Sequence, residues 1–93
     1  MLKDIVASYF LRVYIYIMII NEKVTVGMIN DIPKYVIWKG RSHNITQIGL
    51  HHLYRKGKTL YHIFSVVAGT IFMRLKFDTD VLSWTLEESE DGI

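Results

Sequence analysis

From Lys23 onward the chain reads as short apolar runs separated by glycine-bearing turns, the pattern of an antiparallel meander. Val24–Val26 makes a brief first strand, ended by Asn30-Asp31-Ile32-Pro33. Lys34–Trp38 and Ser42–Ile48 flank Lys39-Gly40-Arg41, and Leu50–Tyr54 and Thr59–Val67 flank Arg55-Lys56-Gly57-Lys58. Thr70–Phe77 follows Ala68-Gly69, and Val81–Glu87 follows Asp78-Thr79-Asp80. Outside the first twenty residues no stretch sustains a 3.6-residue period, and there is no internal repeat.

Turn length fixes which side chains share a face of a hairpin. A turn centred on Ala68-Gly69 sets Val66 opposite Ile71 and Phe64 opposite Met73. One centred on Thr79-Asp80 sets Phe77 opposite Leu82, Leu75 opposite Trp84 and Met73 opposite Leu86. Both registers give one apolar face: Leu60, Phe64, Val66, Ile71, Met73, Leu75, Phe77, Leu82, Trp84 and Leu86. In the first hairpin, a turn at Lys39-Gly40 or Gly40-Arg41 gathers Val36, Trp38, His43 and Ile45. The expectation is an all-β domain, a small antiparallel barrel or rolled sheet of five to six strands, of SH3-like or OB-like size.

The most apolar run is Ile5–Ile20, interrupted by Arg12. Sixteen residues fall short of the roughly 20 that span a bilayer as a helix, and a central arginine adds roughly 2.5–3.5 kcal/mol to insertion. Asp4 and the lack of a small-x-small site before Asn21-Glu22-Lys23 fit a signal peptide poorly. As a single strand the run would reach about 53 Å, too long for so small a domain without a break. Three readings stay open: a membrane-associating helix, a segment packed on the domain or on a second copy, and a start downstream at Met18 or Met28. Residues 1–22 are therefore set apart from a domain over 23–93.

Composition narrows the class. Half of the 93 residues are apolar and 22% are charged, which excludes a disordered chain. With no cysteine there is no disulfide, thiolate metal site or thiol catalysis, which fits a reducing, cytoplasmic setting. The net charge of +2 hides a segregation: no Asp or Glu lies between Ile32 and Phe77, where eight bases fall, and six acids with no base follow from Asp78. A basic block beside an acidic tail points to an anionic partner for the block, unless the tail folds back and neutralises it.

Ile37-Trp38-Lys39-Gly40-Arg41-Ser42-His43-Asn44-Ile45 resembles the opening of a group of small bacterial domains of unknown function. Their pattern is Trp-x-Gly-Arg-x-(aromatic or His)-x-(Val or Ile), and they close on a strand bearing Trp-x-Leu, as Trp84-Thr85-Leu86 does here. The resemblance spans roughly Pro33 to Glu88 and departs from the commoner aromatic at His43. It implies a small barrel and, since some members look associated with translesion-polymerase genes, a DNA-related setting. It brings no catalytic residues.

Candidate chemistry is sparse. A hairpin centred on Lys56-Gly57 puts His51 opposite His62, close enough to share a proton or a metal. Zinc takes three or four ligands, and no carboxylate lies between Ile32 and Phe77, so a hydrogen-bonded histidine pair is the simpler reading. The serines lack a nucleophile elbow, no phosphate-binding glycine loop precedes a helix, and the paired carboxylates belong to the tail. The expectation is a protein without catalytic activity, cofactor or metal.

The face away from the core carries His52, Tyr54, Tyr61, Ile63, Phe72, Arg74 and Lys76, with Arg55, Lys56 and Lys58 at a loop tip. With Arg41, its bases and aromatics form a candidate nucleic-acid surface of nine residues: Arg41, His52, Tyr54, Arg55, Lys56, Lys58, Tyr61, Arg74 and Lys76. The competing reading is that the same face is covered, Ile63 and Phe72 above all, by Ile5–Ile20 or a second copy. Three functions follow: a nucleic-acid-binding module, a protein-interaction module that forms a homodimer or docks on a larger partner, and a peripheral membrane protein held by residues 5–20.

Overall fold

The computed structural model describes residues 17–91, with side chains from Ile19 onward. Most of Ile5–Ile20 thus lies outside the described residues. Seven antiparallel strands form one strongly curled half-barrel sheet: β1 Ile17–Ile29, β2 Ile32–Trp38, β3 Arg41–Asn44, β4 Gln47–Lys56, β5 Thr59–Ala68, β6 Ile71–Asp78 and β7 Ser83–Asp91. Their order across the sheet is β3-β2-β1-β7-β6-β5-β4. The architecture is all-β as expected, with seven strands in place of five to six.

Two elements differ from the sequence reading. The first strand is not the short Val24–Val26: β1 runs 13 residues and pairs with both β2 and β7, so Ile17–Glu22 belong to the sheet. A bulge between Ile19 and Glu22, with Asn21 at φ 51°, bends this long strand so that it fits a small domain. Ser42–Ile48 is not one strand either. β3 stops at Asn44, and Ile45-Thr46 carries the chain from one edge of the sheet to the other. There the Ile45 N–H donates to Lys34 O at 2.9 Å, and the Thr46 N–H and Oγ1 both donate to Val67 O, at 2.8 and 3.1 Å.

Turn chemistry sets the registers. Lys39 and Gly40 both have positive φ and pair Trp38 with Arg41, a type I′ turn at one of the two positions expected. Asn30 and Asp31 make a second such turn between Ile29 and Ile32. In the next two hairpins glycine takes the first central position, at Gly57-Lys58 and Gly69-Thr70, as type II′ requires. Each register therefore moves by two from the expected one: Val66 faces Met73, and Phe64 faces Leu75. The β6–β7 loop spans Thr79–Leu82, tied by the Asp80 and Val81 N–H groups donating to Asp78 Oδ1, so Phe77 faces Trp84 and Leu75 faces Leu86. A shift of two changes partners and keeps faces, because side chains alternate with period 2.

The predicted apolar face is accordingly the concave, core-bearing one. Val36, Phe64, Val66, Met73, Leu75, Trp84 and Leu86 form the buried cluster, flanked by Ile20, Val24, Val26, Trp38, Ile45, Ile71 and Phe77. Trp84 tilts against both Phe64 and Phe77, with ring centroids 5.6 and 4.8 Å away. Leu82, expected in this face, is 73% exposed, because the four-residue loop lifts it out of the sheet. Gly27 is needed for close approach: the Tyr35 ring of the facing strand occupies the space a Cβ would take. Among the described residues no helix is long and apolar enough to cross a membrane.

Leu86→Ala is expected to cost about 2–5 kcal/mol in urea unfolding, whereas Leu82→Ala stays within about 0.5 kcal/mol. Equal costs for the two would contradict the four-residue loop and the register it sets.

Candidate functional site

The β4–β5 hairpin holds most of the chemistry-bearing side chains. On its outer face Tyr54 pairs with Tyr61, their rings stacked at 5.1 Å and 24°. Lys76 reaches across from β6, its Nζ 5.2 Å from the Tyr61 ring centroid, a cation–π distance. Lys56 closes the hairpin opposite Thr59, with Lys58 in the turn. Arg55 points to the other face, opposite Leu60. His52 sits one pair further along the outer face, opposite Ile63.

Six of the nine candidate nucleic-acid residues, His52, Tyr54, Arg55, Lys56, Lys58 and Tyr61, thus lie on one hairpin, with Lys76 beside it. Arg74 stands further down β6, opposite Ser65. Arg41 is apart: it begins β3, at the opposite edge of the sheet. Of the two apolar residues at issue on this face, Ile63 is fully buried and Phe72 is 48% exposed.

The acidic tail does fold back. As β7 it lies beside β6 in the middle of the sheet, and a bulge between Arg74 and Leu75 gives β7 one extra residue, Glu87. That residue meets two cations: its Oε1 is 3.3 Å from Arg74 Nε and its Oε2 is 3.8 Å from Lys76 Nζ. Oε1 is closed off from solvent without a well-aligned hydrogen bond, so the ion pair is what holds it there. Part of the basic block is therefore neutralised from within. Asp80, which accepts a hydrogen bond from Thr59 Oγ1, brings a further acid beside the hairpin end. Sequence reading missed the Glu87 contact because its β6–β7 register, two residues away, set Glu87 opposite Phe72.

The concave face of the same hairpin carries the histidine pair. His51 faces Phe64 and His62 faces Leu53, so the two imidazoles are diagonal neighbours and not directly opposed. They still meet, with His51 Nε2 2.9 Å from His62 Nδ1 and the rings stacked at 5.2 Å. Phe64 supports them, its ring 4.0 Å from that of His51 and nearly parallel. One ring donates and the other accepts, so the pair needs at least one neutral imidazole. Among the described residues no group of three or more His, Asp or Glu is placed to hold a metal ion.

A groove of about 470 Å³ crosses the other end of the sheet. Its walls include Gln47, Leu50, Phe72, Arg74, Glu88 and Glu90, so it is mixed in polarity. Compared with family models, with curated proteins and with solved structures, the chain matches none.

Partial burial of the His51 ring, then the charges of His62 and His52, hold its pKa below the ordinary histidine value. A lowered folded-state pKa means the unfolded chain binds the proton more readily. The stability it contributes is full above the unfolded value of about 6.5 and falls as pH drops through the folded one. His51→Gln is expected to flatten the fall in urea-unfolding free energy between about pH 7.5 and pH 5. A pH dependence identical to that of the natural chain would remove His51 as its source.

Proposed function

We propose that the protein is a non-catalytic binding module that holds single-stranded nucleic acid on the outer face of the β4–β5 hairpin. The observation that carries this is the stacked Tyr54–Tyr61 pair on a hairpin with no acidic residue and three bases at its end. Tyr54, exposed and backed by the half-buried Tyr61, offers a ring on which a base of any sequence stacks at roughly 1–3 kcal/mol, while Lys56, Lys58 and Lys76 track the phosphates. Arg74 and Lys76 are tempered by Glu87, which limits affinity and suits a weak, salt-sensitive binder. Arg41 takes no part in this surface. The DNA-related setting implied by the resemblance of Trp38–Ile45 and Trp84–Leu86 is compatible with it.

A second reading, a protein-interaction module, is favoured by a separate observation: β4 is an edge strand whose Ile48, Leu50, Leu53 and Tyr54 are all exposed. The membrane-held alternative rests mostly on residues 5–16, outside those described, since Ile17–Ile20 are committed to β1.

Titrating labelled single-stranded DNA and RNA with the full chain at two salt concentrations tests the first reading. Binding should weaken with salt, and Lys56→Glu with Lys58→Glu should lower the salt slope by about 1.4, at about 0.7 per phosphate contact. Tyr61→Ala should weaken binding roughly tenfold or more. Glu87→Gln should strengthen it by freeing Arg74 and Lys76. No binding, or affinity indifferent to these changes, would overturn the nucleic-acid reading.

A further inference from the structure

The two edges of the sheet are protected unequally. β3 is four residues long and starts on Arg41, the short, charged kind of edge that resists further pairing. β4 is ten residues long, has no proline, and carries no charge until Arg55 and Lys56 at its end. Its single irregularity is the bulge at Gly49, near its start. Leu50 and Leu53 are 57% and 53% exposed, on opposite faces of this strand.

The Lys56–Thr59 pair closes a two-residue turn and is therefore a hydrogen-bonded pair, as are alternate pairs back along the hairpin: Tyr54–Tyr61, His52–Ile63 and Leu50–Ser65. The N–H and C=O groups of His51, Leu53 and Arg55 consequently point away from the sheet. We propose that they are taken up by a second copy of this chain, β4 pairing antiparallel with β4 about a two-fold axis at His52. The inference rests on the interaction reading and names its strand and its partner.

Self-complementarity argues for this occupant. In that register His51 faces Leu53 of the second copy, so the outward backbone groups pair with one another. On the outer face Leu50 meets Tyr54 of the second copy, and both apolar side chains lose water. Arg55 faces Gly49 of the second copy, where the bulge and the missing side chain leave room for it. Charge runs the same way. β4 itself has no acid, and its bases Arg55 and Lys56, with Lys58 in the turn, all sit at one end. Antiparallel pairing holds the two basic ends apart, whereas parallel pairing would crowd the bases together. The result is one sheet of fourteen strands, seven from each copy.

Sedimentation of the full chain over the micromolar range, combined with amide exchange by NMR, tests the proposal without any nucleic acid. The expected result is a dimer in which the His51 and Leu53 amides become protected as concentration rises. Leu53→Lys should raise the dimer dissociation constant about tenfold or more, with unchanged circular dichroism. Leu82→Lys, an exposed loop control, should leave it unchanged. A dimer with freely exchanging His51 and Leu53 amides would overturn the β4 seam while keeping the interaction reading. A monomer with those amides exposed would overturn both, and a monomer with them protected would put a segment of this same chain on the edge and overturn the second-copy assignment.

Discussion

The curvature of the sheet follows from a covalent constraint, the two-residue passage from β3 to β4. Those strands are neighbours in sequence and opposite edges of a seven-stranded sheet. Laid flat, six inter-strand spacings would part them by about 29 Å, yet the three Cα–Cα steps from Asn44 to Gln47 reach at most about 11 Å. The sheet has to roll until its edges come within that reach. Ile45 and Thr46 fasten the rolled form by hydrogen bonds to Lys34 on β2 and Val67 on β5. Rolling then encloses the apolar face: Val36 from the β2 side joins Phe64, Val66, Met73, Leu75, Trp84 and Leu86 in one cluster, a burial that a flat sheet of this size could not achieve.

The closure is at one end only. β3 is too short to accompany β4 along its length, so among the described residues β4 departs from the tether as an edge with unpaired outward backbone groups and exposed apolar side chains. Both candidate activities sit on this strand and its hairpin partner β5. The tyrosine platform uses the outer side chains and leaves the edge hydrogen bonds free, whereas strand pairing uses those bonds and leaves the outer face open. The two are geometrically compatible, with Leu50 of the second copy beside each Tyr54–Tyr61 pair.

Much of the fold was legible in the sequence because its strongest signals have period 2. Glycine may stand first or second in a two-residue turn, and that choice moved two hairpin registers by two residues without turning any side chain over. The face containing Phe64, Val66, Met73, Leu75, Trp84 and Leu86 survived this change, as did the meeting of His51 and His62. What was not legible depended on one extra residue or on a tertiary contact. Asn44-Ile45-Thr46-Gln47 carries no glycine or proline to mark a crossing, so Ser42–Ile48 read as one strand. The length of β1 was hidden for the opposite reason: its bulge near Asn21 falls inside a polar stretch that reads as a terminus.

The same limit governs the charge pattern. A count along the chain separates eight bases from six acids, but pairing β7 beside β6 brings the two blocks into register. By the alternation set by Leu86, Glu87 lies on the same face as Arg74 and Lys76, and the length of the β6–β7 loop brings it beside them. A two-residue change of register thus turns a solvated tail residue into a counter-charge for two candidate phosphate contacts. Of the bases left outside its reach, Arg55, Lys56 and Lys58 stand at the tip of the hairpin, next to Tyr54 and Tyr61, while Lys34, Lys39 and Arg41 lie on β2, β3 and the turn between them at the far edge. Positive charge is therefore left at both edges of the sheet, and the β4 edge combines it with the stacked tyrosines. An anionic strand and a second copy both have a place at the β4 edge, and its outward backbone groups distinguish them, since only a polypeptide can extend the ladder.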